Sequence, residues 1–282
     1  MGLSVFRKTL RDVRWQVFWY GLGLAILGAV VVYVYPSYRE QLADLELPDA
    51  FRALIGDADY ATGAGFLGAE YFSWVPVLLV IFAVTSGTSA LAGEEADGTF
   101  DLLLAQPVSR ARLVIEKLAG LSVGTVLICA IAYAGWLASV PFVDIDVSLG
   151  RLLVATSNLV PLTLFFVAFS MWAGAALPDR RLATGLAAAL AVSSYFLNFL
   201  GGLIDALGPI RWLSVFHYSD ATNVLAQGID LGKLAVLLSL FVLFALATLL
   251  AFQRRDLGVR SGGFRLEWPR NLIPPSLRAW KE

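Results

Sequence analysis

Few residues in this chain have the types that chemistry needs. Asp205, His217 and Asp220 come nearest, an imidazole with two carboxylates in one stretch before the last apolar run. A membrane enzyme acting on a lipid would use such a set for proton transfer or to hold a metal. Here the three are too scattered to form a site, and His217 is the sole histidine, with no cysteine near it. "GDADYATGAG" in the segment 36–70 has the look of a metal loop, yet it lacks the third alternate Asp or Asn and the closing Glu that calcium requires. Two Met, one Cys and one His are too few for soft-metal transport by direct ligation. Cys129 lies in an apolar run and has no second cysteine to pair with. There is no G-x-S-x-G nucleophile turn and no G-x-x-x-x-G-K-[ST] phosphate cradle. No catalytic, metal or cofactor residue is therefore assigned to this chain.

The conspicuous polar segment is "GEEADGTFDLLLAQPVSRARLVIEK", from Gly93 to Lys117. Glu94, Glu95 and Asp97 stand where acids favour the start of a helix. Phe100, Leu103 and Leu104 give that helix an apolar face, and Pro107 ends it. Ser109 is placed to cap the next helix, with Val108 and Leu113 as a hydrophobic staple. The pattern predicts a short amphipathic helix over about 93–107, held between two long apolar runs. Its apolar face suits a groove on a partner protein; the other reading is a helix resting on the lipid surface.

The elements that carry this segment are membrane spans. Apolar residues make up 58% of the chain and charged ones only 15%, well short of the roughly 25% charge of soluble domains. Mean hydropathy is +0.73. Six runs approach the roughly 20 residues needed to cross a bilayer, at about 17–35, 71–92, 113–140, 151–177, 183–203 and 233–252. Runs of this length must be helical in lipid, so the fold expected is all-α, one membrane domain over 1–252 with a tail over 253–282. The charged start "SVFRKTLRDVRWQ" and the absence of a small-residue cleavage site after the first run read as a retained span, not a cleaved leader. Leu3, Phe6, Leu10, Val13 and Val17 form one stripe with Arg7, Lys8, Arg11 and Arg14 off it, which predicts an amphipathic interfacial helix before the first span; the other reading is a cytoplasmic extension of that span. The segment 204–232 is too polar to span and too apolar for a free loop. It predicts two short helices in the outer leaflet, broken at Gly208–Pro209.

Sixteen of the 21 basic residues fall in the segments before span one, between spans two and three, between spans four and five, and after span six. The positive-inside rule puts these four segments and both termini in the cytoplasm of a cell that carries the chain in its plasma or inner membrane. The net charge of −1 gives no reason to expect a nucleic-acid partner. The span centres hold essentially no Asp, Glu, Lys or Arg, so nothing in them would harvest an ion gradient. Thr85, Thr88 and Ser89 share one helical face, and so do Ser194, Tyr195 and Asn198. Two readings fit these stripes: the lining of a translocation route, or ordinary interhelical hydrogen bonds. "GLSVG", Gly120 to Gly124, has the small-residue spacing of a helix-packing face.

The segment from Gly93 to Lys117 resembles the cytoplasmic stretch between spans two and three of type-2 ABC transporter permeases, the six-helix membrane subunits of exporters. The residues that match are Glu94, Glu95, Gly98, Thr99, Asp101, Leu102, Leu103, Leu104, Pro107, Val108, Ser109 and Arg110. Asp101 departs from the pattern, since a Glu is common there, and the basic tail has no counterpart in it. The resemblance implies that the segment is a coupling helix docking on a separate ATP-binding subunit. ATP and Mg would then sit on that partner, two permeases would pair, and substrate would pass between them. An apolar, aromatic and hydroxylated lining favours an amphipathic or hydrophobic substrate. The alternatives are a polytopic enzyme acting on a lipid and a membrane scaffold that transports nothing.

Overall fold

A computed structural model describes residues 4–43, 62–93 and 109–254. Among them every regular element is helical. Helix α1 spans Ser4–Ala43. Helix α2, Gly63–Leu67, runs through a π turn into α3, Val75–Thr88, which ends in a second π turn, Ser89–Gly93. Helix α4 is Arg110–Ser139. Helices α5, Leu149–Ser157, and α6, Leu159–Ala176, make one bent unit. Helix α7 is Arg180–Leu203. A 3-10 helix, Asp205–Leu213, and the short α8, Val215–Ser219, and α9, Val224–Gln227, lead to α10, Leu231–Arg254.

Among the described residues six helical units are long and apolar enough to cross a membrane: Val5–Tyr38, Gly63–Ala92, Arg110–Phe142, Leu149–Ala176, Arg180–Leu203 and Leu231–Arg254. Each contains one of the runs expected from the sequence, apart from a residue at the end of the fourth. The α5–α6 and α2–α3 units are the centre of the bundle, with 72% and 67% of their most apolar stretches buried, against 17% for α7 and 11% for α10. The outer helices therefore present apolar side chains such as Leu186, Val192, Val242 and Leu250 to the surroundings.

Helices α1 and α4 run parallel and touch through small residues. A Cβ added to Gly120 would stand 2.9 Å from Thr9 Cβ, and one on Gly135 would stand 2.7 Å from Ala25 Cα. Gly124 faces Val13 and Val17, so the small-residue pair expected to pack does so, against α1. At the start of α1 the backbone N–H of Phe6, which lacks a partner within its own helix, donates to Glu116 Oε2 at 3.2 Å. This contact explains a difference from the sequence reading. Residues 4–16 are not a separate interfacial helix but the opening turns of α1. No Gly or Pro interrupts them, and Val5, Thr9, Val13 and Val17 are buried along α4 while Phe6 and Leu10 are only half-buried. Arg7, Lys8, Arg11 and Arg14 are exposed, as the stripe required.

The centre is aromatic and pinned by two hydrogen bonds. Tyr71 stacks edge-on against Trp136 at 4.7 Å and donates to the Leu24 carbonyl. Trp136 donates from Nε1 to Thr156 Oγ1 at 3.2 Å. Where α5 meets α6, Asn158 donates from its side chain to the Ser219 carbonyl, and Pro161 supplies no backbone N–H to the turn before it. The break expected at Gly208–Pro209 is elsewhere. The 3-10 helix runs through Pro209, and the chain turns at Ser214 because Ser194 holds it there.

Candidate functional site

The residues proposed for coupling divide by position. Glu94, Glu95, Gly98, Thr99, Phe100, Asp101, Leu103, Leu104 and Pro107 lie outside the described residues, as do Asp97, Val108 and the tail beyond Arg254. Ser109 and Arg110 are described. Ser109 is the N-cap of α4, its hydroxyl accepting from the Arg112 N–H at 3.3 Å. Arg110 donates to the carbonyl of Gln253 at 3.4 Å, joining the start of α4 to the end of α10.

The two turns that flank 94–108 are tied to one another. Lys117, only 3% exposed, donates from Nζ to the Ala90 carbonyl. That carbonyl sits in the turn Ser89–Gly93, where a cation meets the negative end of the helix dipole. One residue back, the Ser89 hydroxyl accepts from Arg180 Nη2 at 2.7 Å. Thr88 Oγ1 accepts from Thr184 Oγ1 at 3.2 Å and donates to the Val84 carbonyl. Three side chains thus join the end of α3 to the starts of α4 and α7.

Above these contacts the walls of α3 and α7 part. A groove of about 380 Å³ lies between them, bounded by Val77, Ile81, Val84, Ala188, Val192 and Phe196. Thr85 stands on the α3 wall and Tyr195 on the α7 wall, so one member of each polar stripe reaches the same space. The others do different things. Thr88 and Ser89 form the α3–α7 junction just described. Ser194 is buried and carries the turn after the 3-10 helix, accepting from the Val215 N–H at 2.7 Å while its carbonyl accepts from Ser214.

Asn198 opens onto a second cavity, of about 80 Å³, at the far end of the groove. Its polar wall includes Arg211, His217, Ser219, Asp220 and Asn223, and Tyr195 and Phe216 border both spaces. Asp220 sits in the left-handed region at φ 43°, ending α8. Its carboxylate is committed, with Lys233 Nζ at 2.6 Å and Asn223 Nδ2 at 2.9 Å. His217 is held below its ordinary imidazole value, first by burial and then by the charges of Lys233 and Arg211, with Asp220 opposing them. Asp220 and His217 therefore belong to one structure, though not as a catalytic pair. Among the described residues no group of three His, Cys, Asp or Glu could hold a metal.

The sequence alone did not reveal Lys117, Thr184, Arg180 or Arg211. Lys117 and Arg180 look like ordinary topology-setting cations, and only the fold shows what they reach. For Arg211 a signal existed, the glycine pair at 201–202 in a helix otherwise rich in alanine and leucine. A Cβ on Gly201 would stand 2.3 Å from Arg211 Cγ, so the arginine stem lies directly across that glycine.

The family model described as ABC-2 family transporter protein matches residues 3–257 of this chain. No curated protein matches it.

Proposed function

This chain belongs to the ABC-2 transporter family, and on that premise we propose that two copies of it form the membrane pathway of an exporter driven by a separate ATP-binding subunit. It is a multi-pass membrane protein and a permease subunit of an ABC transporter. In our reading both termini and the segment 94–108 are cytoplasmic, the membrane is the plasma or inner membrane, and ATP and Mg bind the partner. The cargo is amphipathic or hydrophobic. The charge asymmetry of the segments supports the orientation. The absence of a phosphate cradle in the sequence supports a separate ATPase.

The observation that carries the proposal is the groove between α3 and α7. It is apolar, it has the Thr85 hydroxyl on the α3 wall and those of Thr184 and Tyr195 on the α7 wall, and its α3 wall ends in the turn that Lys117 and Arg180 grip. In this mechanism the partner moves the coupling helix when it binds and hydrolyses ATP. Phe100, Leu103 and Leu104 give docking affinity, while Glu94, Glu95 and Asp101 set register against basic groups on the partner. Gly98 and Thr99 belong to the matching pattern, and Pro107, Ser109 and Arg110 fix the angle at which the segment enters α4. Displacement of the Ser89–Gly93 turn then pulls on Arg180 and Thr184, and the two walls of the groove shift.

Co-purification with the ATP-binding subunit, then hydrolysis and transport assays on the same preparation, test this. Leu103→Asp is expected to reduce recovery of the ATPase, since an unpaired buried carboxylate costs several kcal/mol. Normal recovery with normal transport would remove the segment from the mechanism and favour an amphipathic helix that only rests on lipid.

A further inference from the structure

The small polar cavity at the far end of the groove has an unusual inventory. Among the described residues, only four buried side-chain polar atoms lack a hydrogen-bonding partner: Ser170 Oγ, Asn198 Oδ1, Arg211 Nε and Ser219 Oγ. Three of those four residues line this one cavity. Ser219 is 2% exposed. Buried polar groups are nearly always satisfied, because each one left unpaired is costly, so three at one place mark a position built to receive something polar.

The charges specify its sign. Asp220 is the carboxylate in the cavity wall, and it is already taken by Lys233 and Asn223. His217 is held toward its neutral form. Arg211 remains as a cation without a carboxylate of its own in the wall. Its stem passes over Gly201, it lines the cavity, and its Nε is buried without a partner. An arginine and a serine hydroxyl donate to carboxylate or phosphate oxygens, and the Asn198 amide can present its N–H₂ by a half-turn. The wall shared with the groove, Tyr195 and Phe216, makes the two spaces neighbours, one polar and one apolar.

We infer that the cavity is a head-group site: it binds the acidic head of an amphipath whose apolar part lies in the adjacent groove, with Arg211, Ser219 and Asn198 as its ligands. This narrows the cargo from any amphipath to acidic ones, and it rests on the reading of the groove as the transport route.

The test uses the full chain in phosphatidylcholine nanodiscs, with radiolabelled dodecyl phosphate as probe and the saturable part of binding as readout. Dodecanol supplies a tail without a charge and inorganic phosphate a head without a tail; each is expected to compete at least about tenfold more weakly than unlabelled dodecyl phosphate. Arg211→Gln is expected to weaken probe binding about tenfold or more. Ser219→Ala should weaken it less, and both variants should keep the thermal midpoint and elution volume of the parent. Ala188→Phe, which fills the groove, should abolish it. Adding phosphatidylglycerol to the bilayer separates two sources of the acid: competition identifies a membrane lipid, and its absence identifies a free acid, each upholding an acidic head. Dodecanol competing as well as dodecyl phosphate, or full binding by a folded Arg211→Gln, would overturn the inference. If Ala188→Phe still abolishes binding in that case, the groove survives as the route and only the acidic head falls. If Ala188→Phe has no effect either, both fall. Should Arg211→Gln fail to fold, Ser219→Ala with unchanged binding of dodecyl phosphate relative to dodecanol decides against the site.

Discussion

The ammonium of Lys117, in the second turn of α4, hydrogen-bonds the carbonyl of Ala90, in the last turn before the coupling segment. The two residues are 27 apart in sequence, yet this contact makes the roots of the segment one unit. In the proposed mechanism this tie makes the helices on either side of the segment move together.

Lys117→Met keeps the length and the apolar stem while removing the donor. It removes a charge-assisted hydrogen bond to a half-buried carbonyl, a loss of about 1–3 kcal/mol. The complex with the ATPase is expected to assemble and hydrolyse ATP while transport per ATP falls. Unchanged coupling, measured as transport and hydrolysis on one preparation, would mean that the contact only packs the bundle.

Tyr195→Leu and Asn198→Leu test the proposed route. Tyr195 borders both the groove and the polar cavity, and Asn198 borders the cavity alone. Substrate-stimulated hydrolysis is expected to change in both, with basal hydrolysis and assembly intact. Stimulation identical to the parent in both variants would return these residues to ordinary helix packing, worth about 0.6 kcal/mol per contact.

The orientation is tested by thiol labelling in a Cys129→Ser background. Asp144 and Arg181 are exposed and lie at opposite ends of the bundle, beyond α4 and at the start of α7. Asp144→Cys is expected to react with an impermeant reagent on intact cells, and Arg181→Cys only after lysis. The reverse order would invert the topology.

His217 gives a pH dependence with a definite sign. Its proton affinity in the folded protein is lowered, so the unfolded chain, near the usual value of about 6.5, binds the proton more readily. The stability it contributes is complete above that value and is lost as pH falls through the lowered folded value. The thermal midpoint should therefore drop on acidification in this window, and His217→Gln should flatten the slope. A midpoint that rises toward acid in the parent but not in the variant would contradict this environment.

How much of this was legible depends on range. The six spans follow from uninterrupted apolar length, and the Ser109 cap follows from a hydroxyl three residues before its amide partner; both are local. The opening of α1 leaves two readings open locally, because its stripe fits a lipid surface as well as a helix, and Gly120 and Gly124, more than a hundred residues away, decide for the helix. The turn at Ser214 was missed for the same reason. Pro209 is the louder local signal, but Ser194 determines the geometry from another element. The polar stripes are visible in the sequence, yet their periodicity cannot say that Thr85 and Tyr195 border one groove while Ser194 does not join them.

The close approach of α1 and α4 also bears on how this sequence can drift. Gly21 and Gly23 are neighbours in composition and in helix, yet they are not equivalent. A methyl at Gly21 would stand 2.8 Å from Ile131 Cβ, whereas nothing lies within 4 Å of one at Gly23. Gly135 is closed in the same way by Ala25, and Gly185 on the outer helix α7 is as open as Gly23. Among relatives, then, substitutions should accumulate at 23 and 185 while 21 and 135 stay glycine. The parallel pair would thus be a fixed chassis, and the outer faces the part free to adapt to a new membrane or a new cargo.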